Sequence, residues 1–380
     1  MLFAEHFRNR ISHTFQKIET IEYLNQTRKA NILKLNYSLA LVAVLFFVST
    51  SKIYSQKKYP AVEILTSGTN SSIRGLSVVN DNVIWVSGSN GTVGRSNNGG
   101  KSWKWMTVSG FEKNDFRDIE AFDASTAVIM SISEPAYILK TTDGGSSWKV
   151  VYENKTKGMF LDAMEFWNDE SGIVVGDPVD GRFFISRTFN NGSTWTDLPF
   201  EKRPVAITGE GCFASSGTNV SAMNLQEAVF VSGGLRSRLF IRDNAIDLPF
   251  TKDKETAGAN SVTVFDSYKR SGGKKIVVVG GDFNNDSSTT ANCFYSNDGG
   301  KTWSAPSEPP HGYRSCVEYL AKKEIIASGL NGVDYSLDGG RTWRLISNEG
   351  FHVCKISKFG SAVYLAGKNG KIAKLQWEPN

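Results

Sequence analysis

The sequence predicts an all-β fold: a seven-bladed β-propeller of four-stranded blades, its ring closed by an N-terminal strand. Three observations predict it. A Trp-ended turn phrase recurs five times, strand-like apolar runs fall at regular intervals between the recurrences, and the last repeat is one strand short while a spare strand lies near the start.

The phrase reads Ser96-Asn-Asn-Gly-Gly-Lys-Ser-Trp103, Thr141-Thr-Asp-Gly-Gly-Ser-Ser-Trp148 and Thr188-Phe-Asn-Asn-Gly-Ser-Thr-Trp195. It returns as Ser296-Asn-Asp-Gly-Gly-Lys-Thr-Trp303 and Ser336-Leu-Asp-Gly-Gly-Arg-Thr-Trp343. Each place suits a hairpin turn. Asp or Asn at the third place can accept from backbone N–H groups two residues on. Gly at the fifth supplies positive φ. Hydroxyls at the first and seventh tie the arms together, and the Trp buries its indole beneath the turn.

The Trp residues are 45, 47, 108 and 40 residues apart, so the long gap has room for one repeat with a decayed turn. Ile241-Arg-Asp-Asn-Ala-Ile-Asp-Leu248 is its candidate. Before each turn runs an alternating segment, a polar turn and an apolar run ending near Gly, such as Ile276-Val-Val-Val-Gly280. Four strands in about 40–55 residues make a propeller blade. Seven innermost strands are expected to start near Ile73, Phe116, Phe160, Glu210, Asn260, Tyr313 and Phe351, with six or eight blades as the alternative counts because the fourth repeat is irregular. The last repeat holds three strands, and Ala61-Val-Glu-Ile-Leu-Thr66 is expected to supply the fourth.

Composition narrows the partners. Of 43 basic and 38 acidic residues, seven and three precede residue 56, leaving 36 against 35 in the remainder. A body so near neutrality has no general field for a polyanion, which argues against nucleic acid. Tyr37–Thr50 is an uncharged, mostly apolar run of 14 residues behind Arg28, Lys29 and Lys34. A membrane span wants about 20 residues, so the run reads as a signal-peptide core. Residues 1–55 are expected to be a leader, cleaved near Ser55 or kept as a membrane anchor, and 56–380 a single propeller, exported to the periplasm or beyond. None of Cys212, Cys293, Cys316 and Cys354 forms Cys-x-x-Cys or a Cys/His metal spacing. No metal and no cofactor are expected. Cys316 and Cys354 fall at matching places in the last two repeats, as a disulfide or as two buried thiols.

In such a ring the starts of the innermost strands surround one mouth of the axis. Arg74, Arg117, Asp162, Glu210, Asn260, Arg314 and His352 fall there. Connections between second and third strands add Asp177, Asp180, Arg182, Arg236, Arg238 and Asp282. Arg forks beside carboxylates suit an acidic peptide, a sugar acid or a partner loop. The alternative is that these groups pair with one another and staple the blades.

The turn phrase resembles the Asp-box (BNR) repeat of sialidase-like propellers, where the box lies on the rim away from the ligand face. Longer phrases resemble a WD40/YVTN/BNR-like propeller family related to photosystem II stability/assembly factors. They are Gly176-Asp-Pro-Val-Asp-Gly-Arg-Phe183, Gly209-Glu-Gly-Cys-Phe-Ala-Ser-Ser-Gly-Thr218, Gly312-Tyr-Arg-Ser315 and Gly350-Phe-His352, and the likeness runs over about residues 60–377. The resemblance implies seven blades, export, no cofactor, and a partner polypeptide held against an Arg-bearing face, here Arg74, Arg117 and Arg314. Similar sequences are often labelled oxidoreductase or glycosyl hydrolase. No Gly-x-Gly-x-x-Gly leads a strand into a helix, and no haem or iron–sulfur spacing occurs. A sialidase-like site wants a Phe/Tyr-Arg-Ile-Pro phrase before the first box, whereas Phe200-Glu-Lys-Arg-Pro204 follows the third and carries an insertion. A two-carboxylate glycosidase using Asp177, Glu210 or Asp282 is the alternative with carbohydrate as ligand. Binding of a protein or peptide, without catalysis, is the expected function.

Overall fold

A computed structural model describes Glu22, residues 25–29, and residues 59–377 apart from 225, 226, 253, 268, 270 and 271. The apolar run Tyr37–Thr50 and the expected cleavage site lie outside the described residues. Glu22 and residues 25–29 are helical. From residue 59 on, the described chain is strand and turn, broken by two single 3-10 turns, Phe200–Lys202 and Lys368–Gly370.

The chain is an all-β propeller of mostly four-stranded antiparallel sheets. Ile73–Val78, Ile84–Gly88, Thr92–Ser96 and Lys104–Thr107 form the first, each strand pairing with the next. Phe116–Ala121, Ala127–Ser131, Ala136–Thr141 and Lys149–Asn154 form the second. Leu161–Phe166, Gly172–Val179, Arg182–Thr188 and Thr196–Asp197 form the third. Cys316–Tyr319, Ile325–Gly329, Gly332–Ser336 and Arg344–Ser347 repeat the pattern. In the last sheet Val353–Ile356, Val363–Ala366 and Lys371–Gln376 are joined by Ala61–Ser67, paired antiparallel from Ala61↔Gln376 to Ser67↔Lys371.

Between these lies an eight-stranded sheet. Its central path runs Asn244–Asp247, Arg238–Ile241, Ala228–Gly234, Ala257–Val264, Ile276–Asp282 and Cys293–Ser296. Its two halves are joined by one pairing, Gly233↔Gly258. Glu210–Gly211 and Val220–Ala222 both pair with Ala228–Gly234, so this innermost strand is interrupted by residues 212–219. Where the sequence suggested a decayed box, Ile241 and Asn244 face each other across a tight turn with Arg242 at φ 54°.

Alternation explains the packing. Ala127 and Ile129 face the first sheet's Trp85 and Val93, while Val128 and Met130 face the third sheet's Val174 and Phe184. Phe183 meets Phe230 and Phe240, Val231 meets Val262 and Val278, and Val277 meets Val317 and Ala327. One cluster joins Val333 and Tyr335 to Val353 and Leu365, and these to Ile73 and Val86 of the first sheet. Every residue of Ile84–Gly88, Ala127–Ser131 and Ile325–Gly329 is buried, as strands covered on both faces must be.

All five boxes share one geometry. The first-place hydroxyl accepts from the fifth-place Gly N–H at 2.9–3.1 Å, as in Ser96–Gly100 and Thr188–Gly192. Each of these glycines has positive φ, from 70° at Gly192 to 89° at Gly340. The third-place oxygen reaches farther than expected, to the N–H four residues on: Ser147 to Asp143 at 2.9 Å and Thr342 to Asp338 at 2.9 Å. The hydroxyl already satisfies the nearer N–H, which leaves the carboxylate to close the wider loop. Trp343 is buried and donates Nε1–H to Gly340 O at 3.1 Å; the other four box indoles are half-buried. Cys316 and Cys354 are free thiols, Sγ to Sγ 3.6 Å.

Glu165, Glu318 and Lys355 gather at the ends of the innermost strands, around a cavity of about 270 Å³. Lys355 Nζ lies 4.0 Å from Glu318. Burial pushes Glu165 up to about 7; the Lys355 and Lys358 ammonium groups oppose this, and Glu120 and Glu318 add to it. Its folded pKa exceeds the ordinary value of 4.5, so the associated stability is present below that value and is lost as pH rises through about 7. Wild type should therefore lose on the order of 1–2 kcal/mol between pH 5 and 8 that Glu165→Gln keeps. Urea unfolding at both pH values reads this; parallel curves for the two proteins would exclude it.

Candidate ligand-binding site

At the opposite ends, the starts of the innermost strands, lies a cavity of about 340 Å³. Its polar wall holds Arg74, Arg117, Asp177 and His352, and its apolar wall includes Phe213, Phe283 and Tyr313. These residues come from every sheet of the fold, with residues 212–215 crossing between them.

A backbone device places several of them. The pairing register slips by one residue at Arg74, between Ile73↔Gly88 and Gly75↔Ser87. It slips in the same way at Arg117, Asp162 and Asn260 in the equivalent strands, and at Asp177 in Gly172–Val179. A bulge residue leaves the two-residue alternation and is re-aimed, which frees it from packing between sheets.

The arginines are held by the interrupting segment. Arg74 Nη1 donates to Ser215 O at 3.1 Å and Arg117 Nη1 to Ala214 O at 3.2 Å, while Arg117 Nε donates to Asp115 at 2.8 Å. Burial and then the charge of Arg117 lower the Arg74 pKa; Asp115 offsets this only in part. His352 is buried, with Nε2 3.1 Å from Ser72 Oγ and Nδ1 unpartnered. Burial and the nearby Arg74 depress it to about 3, so it is neutral at pH 7. Asp177 accepts from Cys212 N–H at 2.7 Å, and burial raises it to about 6. Asp162 is wholly buried, and neither carboxylate oxygen has a partner of good hydrogen-bond geometry; the Asp177 N–H beside them is a weak offset to burial. One ligand atom from each of Asp162, Asp177 and Cys212 falls within a 4.8 Å group, so residues scattered in sequence supply a donor set that spacing rules miss.

Of the sequence candidates, only Arg74, Arg117, Asp177 and His352 line this cavity, and four of the others have clear partners elsewhere. Arg314 is fully buried: Nε donates to Asp334 at 2.7 Å, and Nη1 to Asn331 Oδ1 at 2.7 Å and Tyr313 O at 2.8 Å. Glu210 is paired with Arg238, Nε to Oε1 2.7 Å, and also accepts from Ser232 Oγ and Ile207 N–H. Arg182 donates to Arg203 O at 2.6 Å and stacks over Phe200. Asp282 caps its own loop, accepting from Thr256 Oγ1 at 2.8 Å and Asn284 N–H at 3.0 Å. Of these four only Glu210 pairs with another candidate, Arg238; Arg314, Arg182 and Asp282 are held by groups of their own repeats. Sequence reading missed Phe213, Ser215 and Phe283 as walls. The Gly209–Thr218 phrase, poor in strand pattern, was the available signal for the first two.

Fold and turns together define a β-propeller carrying Asp-box repeats. The BNR/Asp-box repeat family matches residues 294–305. Among solved structures, "YCF48 bound to D1 peptide" is 18% identical, covering 84% of this chain and 96% of that one, with a TM-score of 0.58. YCF48 from Cyanidioschyzon merolae is 18% identical over 83% of this chain and 99% of its own, with a TM-score of 0.59. The WD40 β-propeller domain of Doa1 is 10% identical over 84% and 98%, with a TM-score of 0.56. At these identities the likeness is one of fold. No curated protein matches the sequence.

Proposed function

We propose that this chain is an exported seven-bladed propeller that binds an acidic polypeptide segment in the Arg74–Arg117 cavity and acts as an assembly factor, without catalysis. The eight-stranded sheet counts as two blades, and Ala61–Ser67 closes the ring. One observation carries the binding reading: two neighbouring guanidinium groups stand on a cavity wall, fixed by backbone carbonyls, with one nearby carboxylate, Asp115, bonded to Arg117 alone. Neighbouring like charges are costly, and an anionic ligand relieves that cost. Phe213, Phe283 and Tyr313 offer apolar contact to a peptide's side chains. The YCF48 structure with a bound peptide supports a peptide as the ligand class for this fold.

The test is fluorescence anisotropy with a labelled Asp/Glu-rich peptide and its Asn/Gln counterpart. Arg74→Ala/Arg117→Ala should weaken the acidic peptide by at least about tenfold, from loss of charge-assisted hydrogen bonds, and leave the neutral peptide unchanged. Raised salt should weaken wild type alone. Equal affinity of wild type and double variant for the acidic peptide would reject the site.

A further inference from the structure

We propose that Asp162, Asp177 and Cys212 form a binding site for a single divalent transition-metal ion of the zinc class, in the wall of the cavity.

The argument starts from an unsatisfied group. Asp162 has no exposed surface, and neither carboxylate oxygen has a partner of good hydrogen-bond geometry, the Asp177 N–H beside them offsetting the cost of burial only weakly. An isolated buried carboxylate is expensive, and a protein keeps one where a proton or a cation compensates it. Its neighbours point to a cation. A carboxylate oxygen of Asp177 and the Cys212 thiol fall with an Asp162 oxygen inside a 4.8 Å group. Tetrahedral ligand atoms at about 2.0–2.3 Å from a metal lie about 3.3–3.8 Å apart, so the trio closes by roughly an ångström at most when an ion is bound.

The backbone is built to assemble this trio. Asp162 and Asp177 are each the extra residue of a β-bulge on paired strands, which aims both out of the packing alternation. Cys212 arrives from the next sheet and is fixed by its own N–H to Asp177 Oδ1 at 2.7 Å. Gly211 permits that approach: a Cβ there would sit 2.9 Å from Asp177 Oδ1. The buried Asn219 side chain lies beside the Cys212 thiol and can offer a further oxygen.

Donor chemistry selects the ion. Two carboxylates with one thiolate suit Zn²⁺ and its Co²⁺ substitute, whereas a thiolate disfavours Mg²⁺ and Ca²⁺. Asp177 and Cys212 also line the cavity, which gives an entry path and leaves a coordination position facing it. Burial and Asp177 hold Asp162 well above the usual carboxylate range, and burial then Asp162 raise the Cys212 thiol. Metal uptake displaces the thiol proton to solvent as the metal–sulfur bond forms.

The full chain, stripped with chelator, is titrated with Co²⁺ and then Zn²⁺. The expected result is uptake of one ion, a near-ultraviolet sulfur-to-cobalt charge-transfer band that Zn²⁺ abolishes, and a rise in Tm with either metal. Cys212→Ser should lose the band, and Asp162→Asn should weaken uptake at least tenfold. If Cys212→Ser does not fold, Asp177→Asn, at a partly exposed position, should show the same weakening. No saturable uptake by wild type, or a band that persists in Cys212→Ser or is unweakened in both aspartate variants, would overturn the site. None of these readouts requires a peptide to bind.

Discussion

Arg314→Ala should cost about 3–5 kcal/mol of folding stability, the range for removing one partner of a buried ion pair. Arg314 and Asp334 are both wholly buried. Asp334 accepts from Arg314 Nε at 2.7 Å, from His311 Nδ1 at 2.6 Å and from His311 N–H at 3.0 Å. Truncation leaves that carboxylate in a dry interior with the half-exposed His311 as its remaining partner. It also strips Asn331 Oδ1 and Tyr313 O of their donor. Urea unfolding reads the loss as a lower midpoint. Arg314→Met with Asp334→Leu should recover much of it, because two apolar side chains leave no charge unpaired. Arg74→Ala, by contrast, removes a partly exposed group bonded to one carbonyl and should cost about 1 kcal/mol. A loss below about 1 kcal/mol for Arg314→Ala would mean that Asp334 finds water, and that the pair is not structural.

That contrast shows where the sequence was legible. Arg74, Arg117 and Arg314 occupy the same place in their repeats, and the resemblance treats them alike. The boxes are local: each turn's donors and acceptors lie within eight residues, so their geometry could be read from residue types alone. Side-chain direction at the strand starts is not local. Arg74 and Arg117 are bulge residues within paired strands, whereas the ladder of the Arg314 repeat begins only at Cys316, two residues later. Arg314 thus stands before its ladder and folds back to Asp334, a residue of the third strand. No spacing rule announces a bulge. Glu210 differs for a related reason: its strand is two residues long, and the chain leaves it to cross the cavity before resuming at Val220. The crossing segment supplies the carbonyls that fix both cavity arginines, so its irregular sequence marked the site more directly than the charged residues did.

Deleting residues 59–67 should remove cooperative folding, a loss on the order of 5 kcal/mol or more, comparable with the whole stability of a domain. Ala61–Ser67 pairs with Lys371–Gln376 along the outer edge of the last sheet. Tyr59, Val62 and Leu65 pack on the cluster that joins this sheet to its two neighbours. Tyr59 also stacks edge-on with Tyr335 at 6.1 Å and lies under the Arg344 guanidinium at 4.7 Å. Without the strand, Lys371–Gln376 presents a row of unpaired backbone groups, a template for another chain. Size-exclusion chromatography should show association, and thermal melting should lose its single transition. A synthetic peptide of residues 59–67 added in trans should restore the monomer, because the strand contributes through pairing and packing rather than through its covalent link. A truncated chain that stays monomeric and melts within a few degrees of the full chain would show that the strand is an appendage and that the ring is held by its remaining sheets.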